Sequence, residues 1–216
     1  GIHSPFAGSM RTNNGAVLSF SPERFIQMHD TQVLTQPIKG TRPRSADPVQ
    51  DQALARELQD SGKDRAENLM IVDLLRNDLG TLCVTGSVKV EQLFELQSFT
   101  NVHHLVSSIR ARLAPEHGAL ALLRNCFPGG SITGAPKKRA MEIIAELEPD
   151  SRQVYCGTLG YMGFDGNLDS NIMIRTLHCT QGEIYCWGGG GIVADSICAQ
   201  EYQECFDKIN NIINKL

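Results

Sequence analysis

Residues 15–38, GAVLSFSPERFIQMHDTQVLTQPI, decide the fold class. Apolar and polar residues alternate in short runs, so Ala16 to Phe20, Arg24 to His29 and Gln32 to Ile38 read as strands. Ser21-Pro22 and His29-Asp30 supply the turns between them. Connections this short permit only antiparallel pairing. Outward from this core the pattern changes period. Asp47-Pro48 offers an N-cap followed by proline at the first helical position, and Ser61 with Asp64 offers a second capping box, which predicts helices over about 48–60 and 63–79. Gly80 closes them. A β-branched stretch runs from Thr81 to Val90, and Phe99 to Leu113 fits strand or helix, with strand favoured. A short helix near Ala119 to Cys126 leads into the loop 127–136, FPGGSITGAP, and Lys137 to Leu147 reads as helix. Between Val154 and Trp187 three strands are expected, with Asp165-Gly166 and Gln181-Gly182 as hairpin turns. The expected class is α+β: antiparallel sheets with helices packed outside.

The last helix is predicted most sharply. At about 100° per residue, Tyr202, Cys205, Phe206, Ile209, Ile212, Ile213 and Leu216 share an apolar stripe, while Glu201, Glu204 and Lys208 share an arc at its edge. No repeat or low-complexity linker marks a boundary, so residues 1–216 read as a single catalytic region.

Composition narrows the function. The chain has 216 residues, of which 41% are apolar and 20% charged, which excludes disorder, collagen and a disulfide-stapled miniprotein. Twenty Lys and Arg against twenty-four Asp and Glu leave a net charge of -4, which argues against nucleic acid as the partner. Seven cysteines without a C-x-x-C pair indicate neither a disulfide framework nor a zinc knuckle and suit a reducing cytoplasm. No run approaches the length of a membrane helix.

Two glycine-rich segments could approach an anion. Gly188 to Gly191 follow a strand and precede a helix, leaving backbone N–H groups accessible, although a flexible turn reads equally well. The loop from Gly129 to Lys137 precedes a helix, but Gly134 is followed by Ala-Pro and Pro136 has no N–H, so a nucleotide phosphate loop ranks last. Asp64 with Glu67, and Glu201 with Glu204, are acids three apart on two helices. Two such faces brought together suit a hard cation such as Mg²⁺, whereas each alone is ordinary solvated surface. His103-His104 and Lys39, in Pro37-Ile38-Lys39-Gly40-Thr41, complete the candidates. Lys39 is expected at a strand end before a turn.

In order along the chain stand SPER (21–24), PIKGTRPR (37–44), DRAENLMIVDL (64–74), GSITGAPK (130–137), GGGGIV (188–193) and EYQE (201–204). This series resembles chorismate-utilising enzymes from about Ser4 onward, and within them the aminodeoxychorismate synthases of folate biosynthesis. The resemblance implies the C-terminal part of the family's two-sheet sandwich, whose N-terminal half this sequence does not include. It also implies roles. Lys39 matches the amine that attacks C2 of chorismate, and Glu23 the acid that protonates the departing 4-hydroxyl. Ammonia from a glutamine amidotransferase partner then adds at C4 and expels the lysine. The division is chemically sensible, because a covalent route splits one hard displacement into two easier ones. A protonated Glu23 and a neutral Lys39 are both favoured by desolvation.

By the same resemblance, Glu67 and Glu204 hold Mg²⁺, with Glu201 and Asp64 close enough to act through water. Gly40, Thr41, Gly189 and Gly191 bind the ring carboxylate of chorismate and His104 lies over the ring. Tyr155 and Arg175 hold the enolpyruvyl carboxylate, and Lys208 contacts a substrate carboxylate. Chorismate is a dianion, so Mg²⁺, Arg175 and Lys208 would compensate its charges inside an acidic protein. Anthranilate synthases carry alanine at the position of Lys39 and aminate C2, which makes them the rival within the family. An inactive chorismate-binding fragment is the rival outside enzymology.

Overall fold

The computed structural model describes residues 4–194 and 196–216. The strands are β1 (Phe6–Thr12), β2 (Gly15–Ser21), β3 (Arg24–His29), β4 (Gln32–Thr35), β5 (Ile38–Pro43), β6 (Lys89–Ser98), β7 (Val102–Arg112), β8 (Thr158–Met162), β9 (Leu168–Ile172), β10 (Thr176–Thr180) and β11 (Glu183–Cys186). The helices are α1 (Pro48–Asp60), α2 (Gly62–Gly80), α3 (Ala119–Cys126), α4 (Lys137–Leu147) and α5 (Cys198–Ile213), with one 3₁₀ turn at Gly130–Ile132. The class is α+β with antiparallel strand pairing, as the alternating runs imply. The described residues divide into two compact units, one drawn from 4–23, 149–160 and 170–216 and the other from 24–148 and 161–169.

In the first unit the sheet order is β1-β2-β10-β11. Gln181-Gly182 turns β10 into β11, both residues adopting the positive φ that a tight hairpin demands. Ser19 is wholly buried and binds Thr176 Oγ1 at 2.9 Å, a polar tie between β2 and β10 at Cα partners Thr176 and Ser19. Val17, Leu177, Ile172, Ile209 and Ile212 form this unit's apolar interior.

The second unit holds β3 to β7 in the order β5-β7-β4-β3, with β6 also on β7. Helices α1 and α2 pack on β5 and β7. Both helices start where the caps predict: Asp47 accepts from the Val49 N–H at 3.1 Å, and Ser61 Oγ accepts from the Asp64 N–H at 3.2 Å. Phe25, Ile26, Leu58, Ile71, Leu79, Leu105, Ile109 and Leu122 are almost fully buried, each contributing about 1.5–3 kcal/mol of burial. Asn68 registers α2 on β7, donating to the Leu105 carbonyl at 3.3 Å and accepting from Ser107 Oγ at 2.6 Å.

Four expectations change. Thr81 to Val90 is not a strand over its length: Val84 and Ser87 form a turn around Gly86, whose φ is +77°, and β6 starts at Lys89 and continues to Ser98. The run from Gln32 to Ile38 breaks at Gln36-Pro37, since proline has no N–H for a ladder, and gives β4 and then β5. Four strands rather than three lie between Val154 and Trp187. On α5 only Ile209 and Ile212 of the apolar stripe are buried, whereas Tyr202, Phe206, Ile213 and Leu216 are exposed.

Candidate active site

Lys39 sits within β5 rather than at a strand end, at a break in register. Lys39 faces Leu105 and Thr41 faces His104 on β7, so Gly40 is the extra residue of a bulge. Gly40 has φ of +82°, and a Cβ there would lie 2.8 Å from Leu58 Cδ1 and 2.9 Å from Asp64 Cβ, so only glycine fits. The bulge turns Lys39 toward α2. Its Nζ donates to Glu67 Oε1 at 2.8 Å and to the Ser131 carbonyl at 3.2 Å, with both side chains of the ion pair only 15% exposed. Arg42, further along β5, pairs with Asp64 at 3.5 Å and with Glu57 at 2.7 Å. Asp64 and Glu67 thus each face a β5 cation. Thr41 Oγ1 and His104 Nδ1 are 2.9 Å apart, and His104 is buried beside Phe99, ring centroids 5.6 Å apart.

The first unit holds the remaining candidates. Glu23 is buried where the chain leaves β2. Its N–H donates to Ser21 Oγ at 3.1 Å, and its carbonyl accepts from the Ile172 N–H at 3.1 Å. On α5, Glu204 pairs with Lys208 at 2.6 Å, and Lys208 also donates to the Gly189 carbonyl at 3.0 Å. Glu201 is buried and accepts from Ser196 Oγ at 2.6 Å. Glycines 188 to 190 are close-approach positions. A Cβ on Gly188 would lie 2.6 Å from the Cys205 carbonyl, one on Gly189 would lie 2.8 Å from the Tyr155 hydroxyl, and one on Gly190 would lie 3.3 Å from Glu201 Oε2 and 3.5 Å from Glu204 Oε1. Gly191 is exposed. Tyr155 is half-buried, and burial pushes its phenol upward, so it stays a neutral donor. Arg175 has φ of +50° and no side-chain partner among the described residues, and burial lowers its pKa. A half-buried guanidinium of this kind is suited to a carboxylate ligand.

The structure therefore joins Lys39 with Glu67, Thr41 with His104, Glu204 with Lys208, and Tyr155 with Gly189. Glu23 belongs to the first unit and Lys39 to the second. Among the described residues no group of three or more His, Cys, Asp or Glu side chains is arranged to hold a metal ion. The acids come instead as pairs, Glu201 with Glu204 in one unit and Asp64 with Glu67 in the other. Glu201 Oε2 and Glu204 Oε1 both lie near Gly190, with Glu204 Oε1 already paired to Lys208, and carboxylate oxygens are the donors a hard cation takes alongside water and an anionic substrate.

Sequence reasoning missed Trp187, whose ring stacks on Tyr155 at 6.2 Å and 4° and on Tyr185 at 6.0 Å. A lone tryptophan directly before four glycines was the available signal. It also missed the Ser131 carbonyl and Ser196. The phosphate-loop reading of 129–137 loses its donors: the Thr133 and Gly134 N–H groups are spent on the Gly130 carbonyl, and Lys137 is spent on Asp78. No helix among the described residues is long and apolar enough to cross a membrane.

Comparison with known proteins agrees with this layout. The chain is 59% identical over 99% of its length to aminodeoxychorismate synthase component 1 of Klebsiella aerogenes, covering 47% of that protein. It is 57% identical to the Escherichia coli K12 protein of the same name, again over 99% of this chain and 47% of the relative. The chain thus spans about half the length of these curated relatives. Anthranilate synthase component I from Streptococcus pneumoniae superposes with a TM-score of 0.86 at 38% identity, over 96% of this chain and 46% of that one. The family described as chorismate binding enzyme matches residues 2–214. Motifs, fold and family match agree: the chain belongs to the chorismate binding enzymes.

Proposed function

We propose that this chain carries the residues that aminate chorismate at C4, giving 4-amino-4-deoxychorismate for folate biosynthesis. The observation that carries the reading is the placement of Lys39: a shielded amine turned off the strand by a glycine bulge, 2.8 Å from a carboxylate. Relatives named aminodeoxychorismate synthase component 1 support it, as does the lysine itself, which an enzyme aminating C2 directly would not need.

In this reading Lys39 Nζ forms a bond to C2 as both ring double bonds shift by one position and the C4–OH bond breaks. Glu23 delivers a proton to the departing hydroxyl, which leaves as water. For attack the ammonium sheds one proton, and Glu67 Oε1 is the carboxylate within reach. Ammonia, supplied by a glutamine amidotransferase subunit, then forms the C4–N bond as the C2–Nζ bond breaks and the lysine is restored. Covalent occupation of C2 directs the nitrogen to C4. Thr41 orients His104 over the ring; Gly40, Thr41, Gly189 and Gly191 contact the ring carboxylate; Tyr155 and Arg175 hold the enolpyruvyl carboxylate, and Lys208 a substrate carboxylate. The residues that the resemblance assigns to Mg²⁺ are Glu67 and Glu204, with Asp64 and Glu201 acting through water, and the ion, when bound, would offset the charge of the ring carboxylate. The expected setting is the cytoplasm.

The test is product analysis. The polypeptide is incubated with chorismate, Mg²⁺ and ammonium, and the product is identified chromatographically. Aminodeoxychorismate from the wild type and none from Lys39→Ala supports the reading. Anthranilate from the wild type, or undiminished C4 amination by Lys39→Ala, overturns it. Calorimetric binding of chorismate without turnover, unchanged in Glu23→Gln, would favour a binding fragment instead.

A further inference from the structure

The segment 127–136 supplies Lys39 with its second partner, the Ser131 carbonyl at 3.2 Å. Most of its polar groups are used internally: Thr133 Oγ1 donates to the Gly129 carbonyl at 2.9 Å, and the Gly134 N–H donates to the Gly130 carbonyl at 3.1 Å. Such bonds shape the loop without fixing it to the rest of the unit. Two features fix it. Gly130 rests on α2 so closely that a Cβ would lie 2.7 Å from Leu74 Cδ2. Lys137, the first residue after the loop, donates to Asp78 Oδ2 at 2.5 Å and to the Cys126 carbonyl at 3.0 Å. Asp78 is buried in the last turns of α2, and its backbone carbonyl accepts from Asn125 Nδ2 at 2.6 Å.

We propose that Asp78 and Lys137 are positioning residues for Lys39, because their ion pair locks the loop whose Ser131 carbonyl grips the Lys39 amine. A single helix, α2, then sets both partners of the amine, Glu67 directly and Ser131 through Asp78 and Lys137. This also explains why the lysine after Gly134-Ala135-Pro136 serves no anion: its ammonium is committed to Asp78 and to the Cys126 carbonyl. The inference rests on Lys39 acting as proposed above, but its structural part is testable without chorismate.

The experiment is brief acetylation of the folded chain at fixed pH, followed by proteolysis and mass spectrometry. Labelling at Lys39 is measured relative to exposed Lys89 in wild type, Asp78→Asn, Lys137→Met and Lys137→Arg. Losing the Ser131 hold should raise relative labelling of Lys39 about two- to tenfold in the first two variants, the range one hydrogen bond supplies, while Lys137→Arg should restore most of the protection. The same two variants should lower kcat with KM nearly unchanged, since the amine and not the substrate contacts is disturbed. If Asp78→Asn does not fold, Lys137→Met against Lys137→Arg makes the same comparison, because the first removes the ion pair and the second keeps it. Unchanged relative labelling of Lys39 in folded variants overturns the anchor, as does an equal rise at Lys39 and Lys89. Raised labelling with kcat unchanged upholds the anchor and sinks the catalytic role of Lys39.

Discussion

Replacing Gly40 with alanine tests the bulge on which the site depends. Gly40 has φ of +82°, where an L side chain costs about 1–2 kcal/mol. The new methyl would meet Leu58 Cδ1 at 2.8 Å and Asp64 Cβ and Cγ at 2.9 Å. Leu58 is fully buried and Asp64 is tied to Arg42, so neither yields freely, and overpacking of this kind adds about 1–3 kcal/mol. Alanine stiffens the unfolded chain and returns about 0.4–1 kcal/mol. The net expectation is a loss of about 1–4.6 kcal/mol, which for a domain of this size lowers the melting temperature by about 2–18 °C. The assay is thermal unfolding followed by circular dichroism, with Gly62→Ala as the control. A Cβ at Gly62 meets nothing within 4 Å, so that change should leave stability level or slightly raised. A Gly40→Ala protein melting within about 2 °C of wild type would refute the claim that glycine is required at the bulge.

Burial pushes the Cys83 thiol up to about 11 and the Cys126 thiol up to about 12, from 9.0. Their neutral forms therefore favour the folded state fully below pH 9, and that contribution is lost as pH rises from 9 through 12. Urea midpoints measured across this window should fall more steeply for wild type than for Cys126→Ala. At neutral pH a thiol reagent should reach exposed Cys198 and leave Cys83, Cys126 and Cys156 unmodified until the chain is unfolded. Arg175→Gln should raise the KM for chorismate about ten- to hundredfold, the loss of a charge-assisted hydrogen bond, in steady-state kinetics. Trp187 is the chain's one tryptophan and stacks on Tyr155, so chorismate binding should change its emission, and Tyr155→Phe should alter that change.

The parts of the fold that could be read from sequence are those set by local chemistry. Asp47 and Ser61 cap helices, and Asp165-Gly166 and Gln181-Gly182 turn hairpins, because each acts within a few residues of itself. Thr81 to Val90 misleads because β-branched composition outweighs the single turn signal at Gly86. The α5 stripe gives the helix correctly but not what covers it, since periodicity reports a face and not its partner. The candidate site was legible as a set of residue types. Its pairings were not, because Lys39 meets Glu67 across 28 residues and Ser131 across 92, distances at which only tertiary packing decides. Arg42 on Asp64 and Trp187 on Tyr155 are partners of the same kind.

The central claim is a covalent bond between the Lys39 amine and the substrate ring, and intact-protein mass spectrometry tests it most directly. The chain is mixed with chorismate and Mg²⁺ without ammonia, quenched in acid, and mapped by proteolysis. The account predicts added mass equal to chorismate less one water, located on Lys39 and absent from Lys39→Ala. Added mass on another residue, or none while ammonium-dependent C4 amination proceeds, would contradict it.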